Sequence, residues 1–401
     1  MAVTLIRSRT RGRVAALAFM AAAVGIGCSA ASSDPPGGSG GNASGSGGTG
    51  AETSGGSGGD PGTGGVPPTG GTGGVEPGTG GTGATGGEPT TGGSGGVPGV
   101  GGTGGSGTGG DGGAGATPAT LVPPIDRGAT MALEFEGYLF EVSPQVGGRV
   151  VTFSYQGVNV LSGSAVNATN YGSTFWTSPQ SAWNWPPPTE IDSAAYTATV
   201  EENTIVLTGA PNATLGLSVT KRFTPDLDRR AIVMDFTIHN HGAAAASAAA
   251  WQISRVAGGG LTFFPTGEEV SLPNLPVTQS EGITWYPHDL ATVPAGGDKY
   301  IADGSEGWLA HVAGDLLLLK AFMDQPAAAK APGEGEIELY ANKAAQAAQA
   351  YVEVEPQGPY LSIPPQGSTT WTVTWYLRSL PAELPRAPSA ELAAFTRSVL
   401  Q

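Results

Sequence analysis

Residues 29–118 hold 40 of the chain's 67 glycines and contain no Lys, no Arg and no aromatic residue. Such a stretch has nothing to bury, so it cannot repay the entropy of ordering and is expected to stay disordered. GGTGG, GGSGG and GTGG recur at irregular intervals without a strict Gly-X-Y period, which excludes a collagen helix. Gly45-Ser-Gly47-Gly48-Thr-Gly50 matches GxGxxG, but no strand precedes it and no helix comes after it, so composition explains it. A 90-residue Gly/Ser chain spans on the order of 50 Å, enough to act as a tether. Foldable sequence is therefore confined to residues 119–401. These carry 14 Lys and Arg against 27 Asp and Glu, a formal charge of −13. That length fits one large β domain or two small ones. The acidic balance argues against nucleic acid as a partner, since binding it needs a basic footprint. A single cysteine excludes a disulfide framework and a Cys-based zinc cluster.

The N-terminus reads as an address. Arg7, Arg9, Arg11 and Arg13 precede an apolar run of 14 residues, 14–27, and no acid occurs before residue 28. The run is too short to span a bilayer, which needs about 20 residues. A positive flank, a short apolar stretch and small residues describe a secretory signal over residues 1–27. It ends Ile26-Gly27-Cys28, at the one cysteine of the chain. This resembles a bacterial lipobox, in which the cysteine is lipidated and becomes the mature N-terminus. A multiply acylated cysteine anchors stably. The expectation is an envelope protein tethered through Cys28 and the linker 28–118, with Ser29 favouring the outer membrane.

From about residue 120 the pattern changes to short runs with period-2 alternation, roughly ten residues apart. Examples are MALEFEGYLFEV (131–142), TLGLSVTKRFT (214–224), RAIVMDFTIHNHG (230–242), GEIELYAN (335–342) and STTWTVTWYLRSL (368–380). Alternation at this spacing predicts an all-β sandwich or barrel. AAAASAAA (243–250) and ANKAAQAAQA (341–350) have helix composition instead. The second lies between two good strands and fits an extended loop or a one-turn helix. APSAELAAFTRSVLQ (387–401) predicts a terminal helix capped by Ser389.

Four groups of residues are candidates for chemistry. YGSTFWTSPQSAWNWPPPTEID (171–192) is rich in Trp and Pro, and proline cannot continue a sheet ladder, so a rigid loop is expected. Trp176, Trp183 and Trp185 serve there either as a plug folded onto the core or as a platform for sugar faces, with Asn184, Gln180 and Glu190 as polar partners. His239, Asn240 and His241 end a strand, with Trp251 and Gln252 soon after. A His here suits general acid chemistry, or the group is only a polar cluster at a turn. A metal pair of His239 and His241 lacks an evident third ligand, so no metal is expected. Glu353 and Glu355 share one strand face, as bases in a pocket or as a solvated face. Arg149, after Gly147-Gly148, suits a carboxylate or sugar hydroxyls, or is a surface cation. No G-x-S-x-G, H-E-x-x-H, P-loop or EF-hand pattern occurs in this region, and no cofactor is expected.

Three stretches, in this order, resemble the aldose 1-epimerase-like proteins of the galactose-mutarotase-like superfamily. They are PQVGGRVVTFSYQGVNVL (144–161), KRFTPDLDRRAIVMDFTIHNHG (221–242) and YVEVEPQGPYLSIPPQGSTTWTVTWYL (351–377). The Trp-Pro loop, DKYIADGSEGWLAHV (298–312) and GEIELYAN resemble a narrower, uncharacterised bacterial family within it. The resemblance covers about residues 130–380. It implies a β-supersandwich over 119–401 that recognises sugar on its concave face. It also implies Glu355 or Glu353 as general base and His239 or His241 as general acid, if there is catalysis. From the residues singled out above, the substrate-binding candidates are Arg149, Trp176, Trp183, Asn184, Trp185, Trp251 and Glu353. Three functions remain open: a tethered carbohydrate-binding lipoprotein, an aldose epimerase or mutarotase, and a structural envelope protein.

Overall fold

Alternation along single strands decides the architecture. Ala231–Asn240 reads AIVMDFTIHN, and Ile232, Met234, Phe236 and Ile238 are buried while Val233, Asp235, Thr237 and His239 are only half-buried. Its neighbour Leu217–Asp226 repeats the pattern, burying Leu217, Val219, Lys221 and Phe223. Each strand thus offers one apolar face, which must be covered by a second layer. The computed structural model describes residues 121–401. The expected signal segment 1–27, Cys28 and the whole Gly-rich stretch 29–118 lie outside the described residues.

Two large antiparallel sheets supply the two layers. The ten-stranded sheet is centred on Leu316–Phe322, Ser368–Ser379, Ala231–Asn240 and Leu217–Asp226, side by side. The twelve-stranded sheet has as its middle the strands Arg149–Tyr155, Ser173–Ser178, Ala246–Ala257, Tyr351–Pro356, Ile337–Asn342 and Asp298–Ala302, in that spatial order. Between the sheets, Phe175 stacks on Phe236 at 4.7 Å, Phe140 meets Phe223 at 5.3 Å and Phe153 meets Trp375 at 5.7 Å. The Trp375 indole N–H donates to Gln252 Oε1 at 2.9 Å, so a polar group buried in this core has its partner. The expected all-β sandwich is therefore the fold, built from two antiparallel sheets.

A second apolar cluster covers the outer face of the ten-stranded sheet and includes Phe263, Trp285, Trp308, Leu319 and Leu392. Leu392 comes from the terminal helix Ala390–Ser398. Ser389 Oγ accepts the Leu392 N–H at 3.2 Å, as the capping pattern predicts.

Two expectations are corrected. Residues 171–192 are not a loop throughout. Ser173–Ser178 is a fully buried strand paired with Ala249–Ser254, and the irregular segment begins only at Pro179. Thr, Phe and Trp favour the pleated surface, and the prolines act only after them. AAAASAAA is likewise no helix, because Ala246–Ala257 is one strand. Ala248 and Ala250 face the core between the sheets, where packing overrides a weak propensity. Of the extended loop and the one-turn helix expected for 341–350, residues 347–349 form a single 3-10 turn, after a strand that runs to Asn342.

Candidate functional site

The face of the twelve-stranded sheet turned away from the core is set by the same period of two. Val352 and Val354 face the core, so Tyr351, Glu353 and Glu355 point outward. Ile337, Leu339 and Ala341 face the core, which sends Glu338 and Tyr340 outward. Trp251 and Arg255 oppose the inward Ala250 and Val256, Trp176 opposes Phe175, and Lys299 opposes Tyr300. Register then sets the rows. Arg255 lies opposite Glu353, Glu353 opposite Tyr340, and Tyr340 opposite Lys299, across four strands. Trp176 lies opposite Trp251.

These rows floor a cleft of about 560 Å³, whose lining includes Trp176, Trp185, Trp251, Lys299, Tyr340, Tyr351, Glu353 and Glu355. Asn167, Asn170, Gln180 and Asn342 add neutral polar groups to it. That volume lies within the ordinary range for a small-molecule site.

The aromatic wall is a cluster of four indoles. The Trp176 ring meets Trp251, Trp183 and Trp185 edge to face at 5.3, 5.8 and 5.9 Å. Trp176 and Trp251 are 5 % and 1 % exposed, whereas Trp185 is 60 % exposed. The wall therefore has a buried base and one free ring. Trp183 is half-buried and donates its N–H to the Thr177 carbonyl at 2.7 Å, which pins the Pro-rich segment to the strand before it. Asn184 is exposed at a positive φ of 57° and belongs to the turn that carries Trp185, outside the cleft lining.

A buried scaffold holds this wall from behind. Asp192 accepts the Trp176 indole N–H at 2.8 Å and the Thr174 hydroxyl at 3.0 Å. The short helix that carries Asp192 can approach because Gly147 has no side chain: a Cβ there would sit 1.7 Å from the Asp192 carbonyl oxygen. Arg149 is part of the same scaffold. It is 3 % exposed, donates to the Thr169 carbonyl at 2.5 Å, reaches Asp192 at 3.5 Å and lies 4.7 Å over the Tyr171 ring. Burial lowers its pKa. It does not line the cleft, contrary to the sugar-contacting position expected of it, because its guanidinium is taken up by the Thr169 carbonyl, Asp192 and the Tyr171 ring.

The charges form two linked sets. Arg255 Nε donates to Glu353 Oε1 at 2.7 Å, and its guanidinium lies 5.4 Å from the Trp176 ring. Lys299 pairs with Glu338, stands 4.0 Å from Glu355 and lies 4.8 Å over the Trp251 ring. Glu338 and Glu355 are opposite each other in register, and like charges so placed repel. One lysine thus serves two carboxyls. Burial pushes Glu355 up to about 8; Lys299 pulls against this, while Glu353 and Glu338 add to it. Burial likewise pushes Glu338 up to about 7, again against Lys299. Burial works against the Lys299 charge too, but Glu355 and Glu338 outweigh it and hold its pKa above the usual lysine range. The Glu355 carboxyl accepts the Trp251 indole N–H through Oε2 at 2.8 Å, and its Oε1 has no partner among the described residues. A carboxyl poised near neutrality with one free oxygen can donate or accept a proton.

Of the residues singled out in the sequence, Trp176, Gln180, Trp185, Trp251, Glu353 and Glu355 meet in the cleft. His239 and His241 do not join them. Ile238 faces the core, so alternation turns His239 to the outer face of the ten-stranded sheet, where it bonds Thr220 Oγ1 at 3.0 Å. His241 bonds Ser218 Oγ at 2.8 Å. None of the four histidines lines the cleft. Among the described residues no group of three or more His, Cys, Asp or Glu is placed to hold a metal. Sequence reasoning missed Lys299, Glu338, Tyr340, Tyr351, Arg255 and Asp192. A signal for some was present: the charges in QISRV and EIELYAN break otherwise apolar strands.

A family model described as domain of unknown function (DUF4380) matches residues 129–378. No curated protein matches the chain. Among solved structures, a TPR-domain containing protein from Parabacteroides distasonis is 15% identical with a TM-score of 0.46, over 65% of this chain and 49% of that one, so about half of that protein is spanned. The Slr1438 protein from Synechocystis is 15% identical with a TM-score of 0.45, over 65% of this chain and 98% of that one. A galactose mutarotase-like protein from Lactobacillus casei is 11% identical with a TM-score of 0.46, over 62% of this chain and 100% of that one.

Proposed function

The chain belongs to the DUF4380 family, and from that premise and the chemistry of its cleft we propose that its β-sandwich recognises carbohydrate on the outer face of the twelve-stranded sheet. One observation carries the reading: an exposed indole, Trp185, stands beside buried ones at the mouth of a cleft whose opposite wall is charged and amide-bearing. Sugars are amphipathic in this way, with C–H faces that suit an aromatic ring and hydroxyls that suit carboxyls, amides and an ammonium. A cleft serving only as a plugged surface has no need of a free tryptophan. The signal pattern and Cys28 extend the proposal to location. The protein is a lipoprotein of the cell envelope, held at the outer membrane by acyl chains, with the Gly-rich stretch as tether.

A second reading has its own support. Glu355, pushed up to about 8 with Oε1 free, is suited to moving a proton at a sugar hemiacetal, as an aldose epimerase requires. The partner for such chemistry is not His239 or His241, so Asp298, Lys299, Tyr340, Tyr351 and Glu353 are the remaining titratable groups at the cleft. NMR of aldoses and uronic acids in the presence of the protein separates the readings. Line broadening without saturation transfer between anomers supports recognition alone, and accelerated interconversion supports the isomerase. No effect from monosaccharides or oligosaccharides sinks the carbohydrate proposal.

A further inference from the structure

We infer that the cleft selects sugars bearing a free amine, with Glu355 as the seat of the ammonium; this rests on the carbohydrate reading above. Most charged groups near the cleft are already committed to one another. Lys299 is shared between Glu338 and Glu355, and Arg255 is spent on Glu353. The Arg255 Nη1 without a partner lies in a side chain that is 1 % exposed and does not line the cleft. Among the described residues, no cation at the cleft is left for an anionic ligand.

The carboxylates are in the opposite position. Glu355 is 1 % exposed, lines the cleft and has Oε1 unpartnered. Asp298, also on the lining, uses Oδ1 for Asn274 and for the Lys299 backbone N–H, and its Oδ2 has no hydrogen bond among the described residues. An ammonium would take up the open position at Glu355 Oε1, and the exposed Trp185 ring gives the cleft a π face for a cation. A uronic acid would instead place a further carboxylate beside Glu353 and Glu355, whose cations are already taken.

Binding of an ammonium changes the number of protons held at the cleft. The groups facing Glu355 are Glu353 on its own strand, Glu338 opposite it on the adjacent strand, Lys299 from the strand beyond, and Trp251 and Arg255 from the strand on the other side. Lys320 lies beneath, donating to the Val354 carbonyl, and its own pKa is far below the usual lysine range through burial. Burial raises the Glu355 pKa and so favours its protonated form in the free protein. An arriving ammonium favours the carboxylate, so the Glu355 proton is released to solvent on binding.

The test is titration calorimetry of the full chain at pH 7 with the methyl glycosides of glucosamine, glucose and glucuronic acid, each in two buffers of different ionisation enthalpy. The amine is expected to bind at least tenfold tighter than the glucoside, with the glucuronide weakest. More than half a proton is released per amine bound and none per glucoside. In E355Q the release disappears and the amine's advantage shrinks to within about threefold. Equal binding of amine and glucoside, or a preference for the glucuronide, overturns this inference and leaves carbohydrate recognition standing. An amine advantage that survives unchanged in E355Q removes Glu355 from the role. Failure of all three glycosides to bind would take the carbohydrate reading down together with it. The proton count on the unaltered protein decides the matter even if the variant does not fold.

Discussion

Replacing Glu355 by Gln should make the protein more stable in alkali, and by an amount the structure sets. The carboxyl is buried, and its pKa rises from 4.5 to about 8 on folding. The folded state therefore holds this proton more tightly than the unfolded chain does. The contribution of Glu355 to stability is complete below about pH 4.5 and is lost as pH rises towards about 8. At ~1.4 kcal/mol per pH unit, the loss reaches about 5 kcal/mol at most. Glu338 titrates with Glu355 through the shared Lys299, so part of that loss belongs to the pair. Gln keeps the acceptor for the Trp251 N–H and never ionises. Urea unfolding followed by tryptophan fluorescence at pH 5 and pH 8.5 measures the difference. The two proteins should agree within ~1 kcal/mol at pH 5, with E355Q more stable by about 2–4 kcal/mol at pH 8.5. Parallel profiles at the two pH values would show that Glu355 is not held protonated, and the reasoning about the cleft's electrostatics would be wrong.

Trp185→Ala removes the free ring of the aromatic wall, and glycan affinity should fall by at least tenfold, or about 1.4 kcal/mol. Thermal unfolding should shift by no more than ~2 °C, because the ring is 60 % exposed and little packing is lost; a large shift with unchanged affinity would reverse its role. His239→Ala with His241→Ala should leave glycan binding unchanged in the same titration, since both rings bond only hydroxyls on the other sheet. Loss of binding there would place the ligand elsewhere. Cys28→Ser should move the protein from the membrane to the soluble fraction and abolish incorporation of labelled fatty acid; retention at the membrane would refute the proposed anchor.

The fold was legible because period-2 alternation is a local signal and each strand carries it in its own residues. The strand Ala231–Asn240 and the capped helix at Ser389 could be read directly. What misled were signals that tertiary packing overrides. Ala246–Ala257 looks helical until a second sheet requires small side chains against it, and Ser173–Ser178 looks like a loop because prolines come directly after it. The site divides along the same line. Glu353 and Glu355 are visible together because alternation puts them on one face. Their partners Lys299, Glu338 and Arg255 come from other strands, and only register sets them opposite one another. Arg149 shows the converse, since a charge after a Gly-Gly turn gives no hint of whether it faces solvent or the half-buried Asp192.

The most direct measurement is a glycan titration watched at the indole N–H resonances, since the chain has eight tryptophans spread over distinct layers. Trp185 and Trp176 should shift, together with Trp251, whose N–H bonds Glu355. Trp285 and Trp308, in the cluster on the outer face of the ten-stranded sheet, should stay where they are. Shifts at Trp285, Trp308 or Trp371 without movement of Trp185 would put the ligand on the other sheet and contradict the cleft as the binding site.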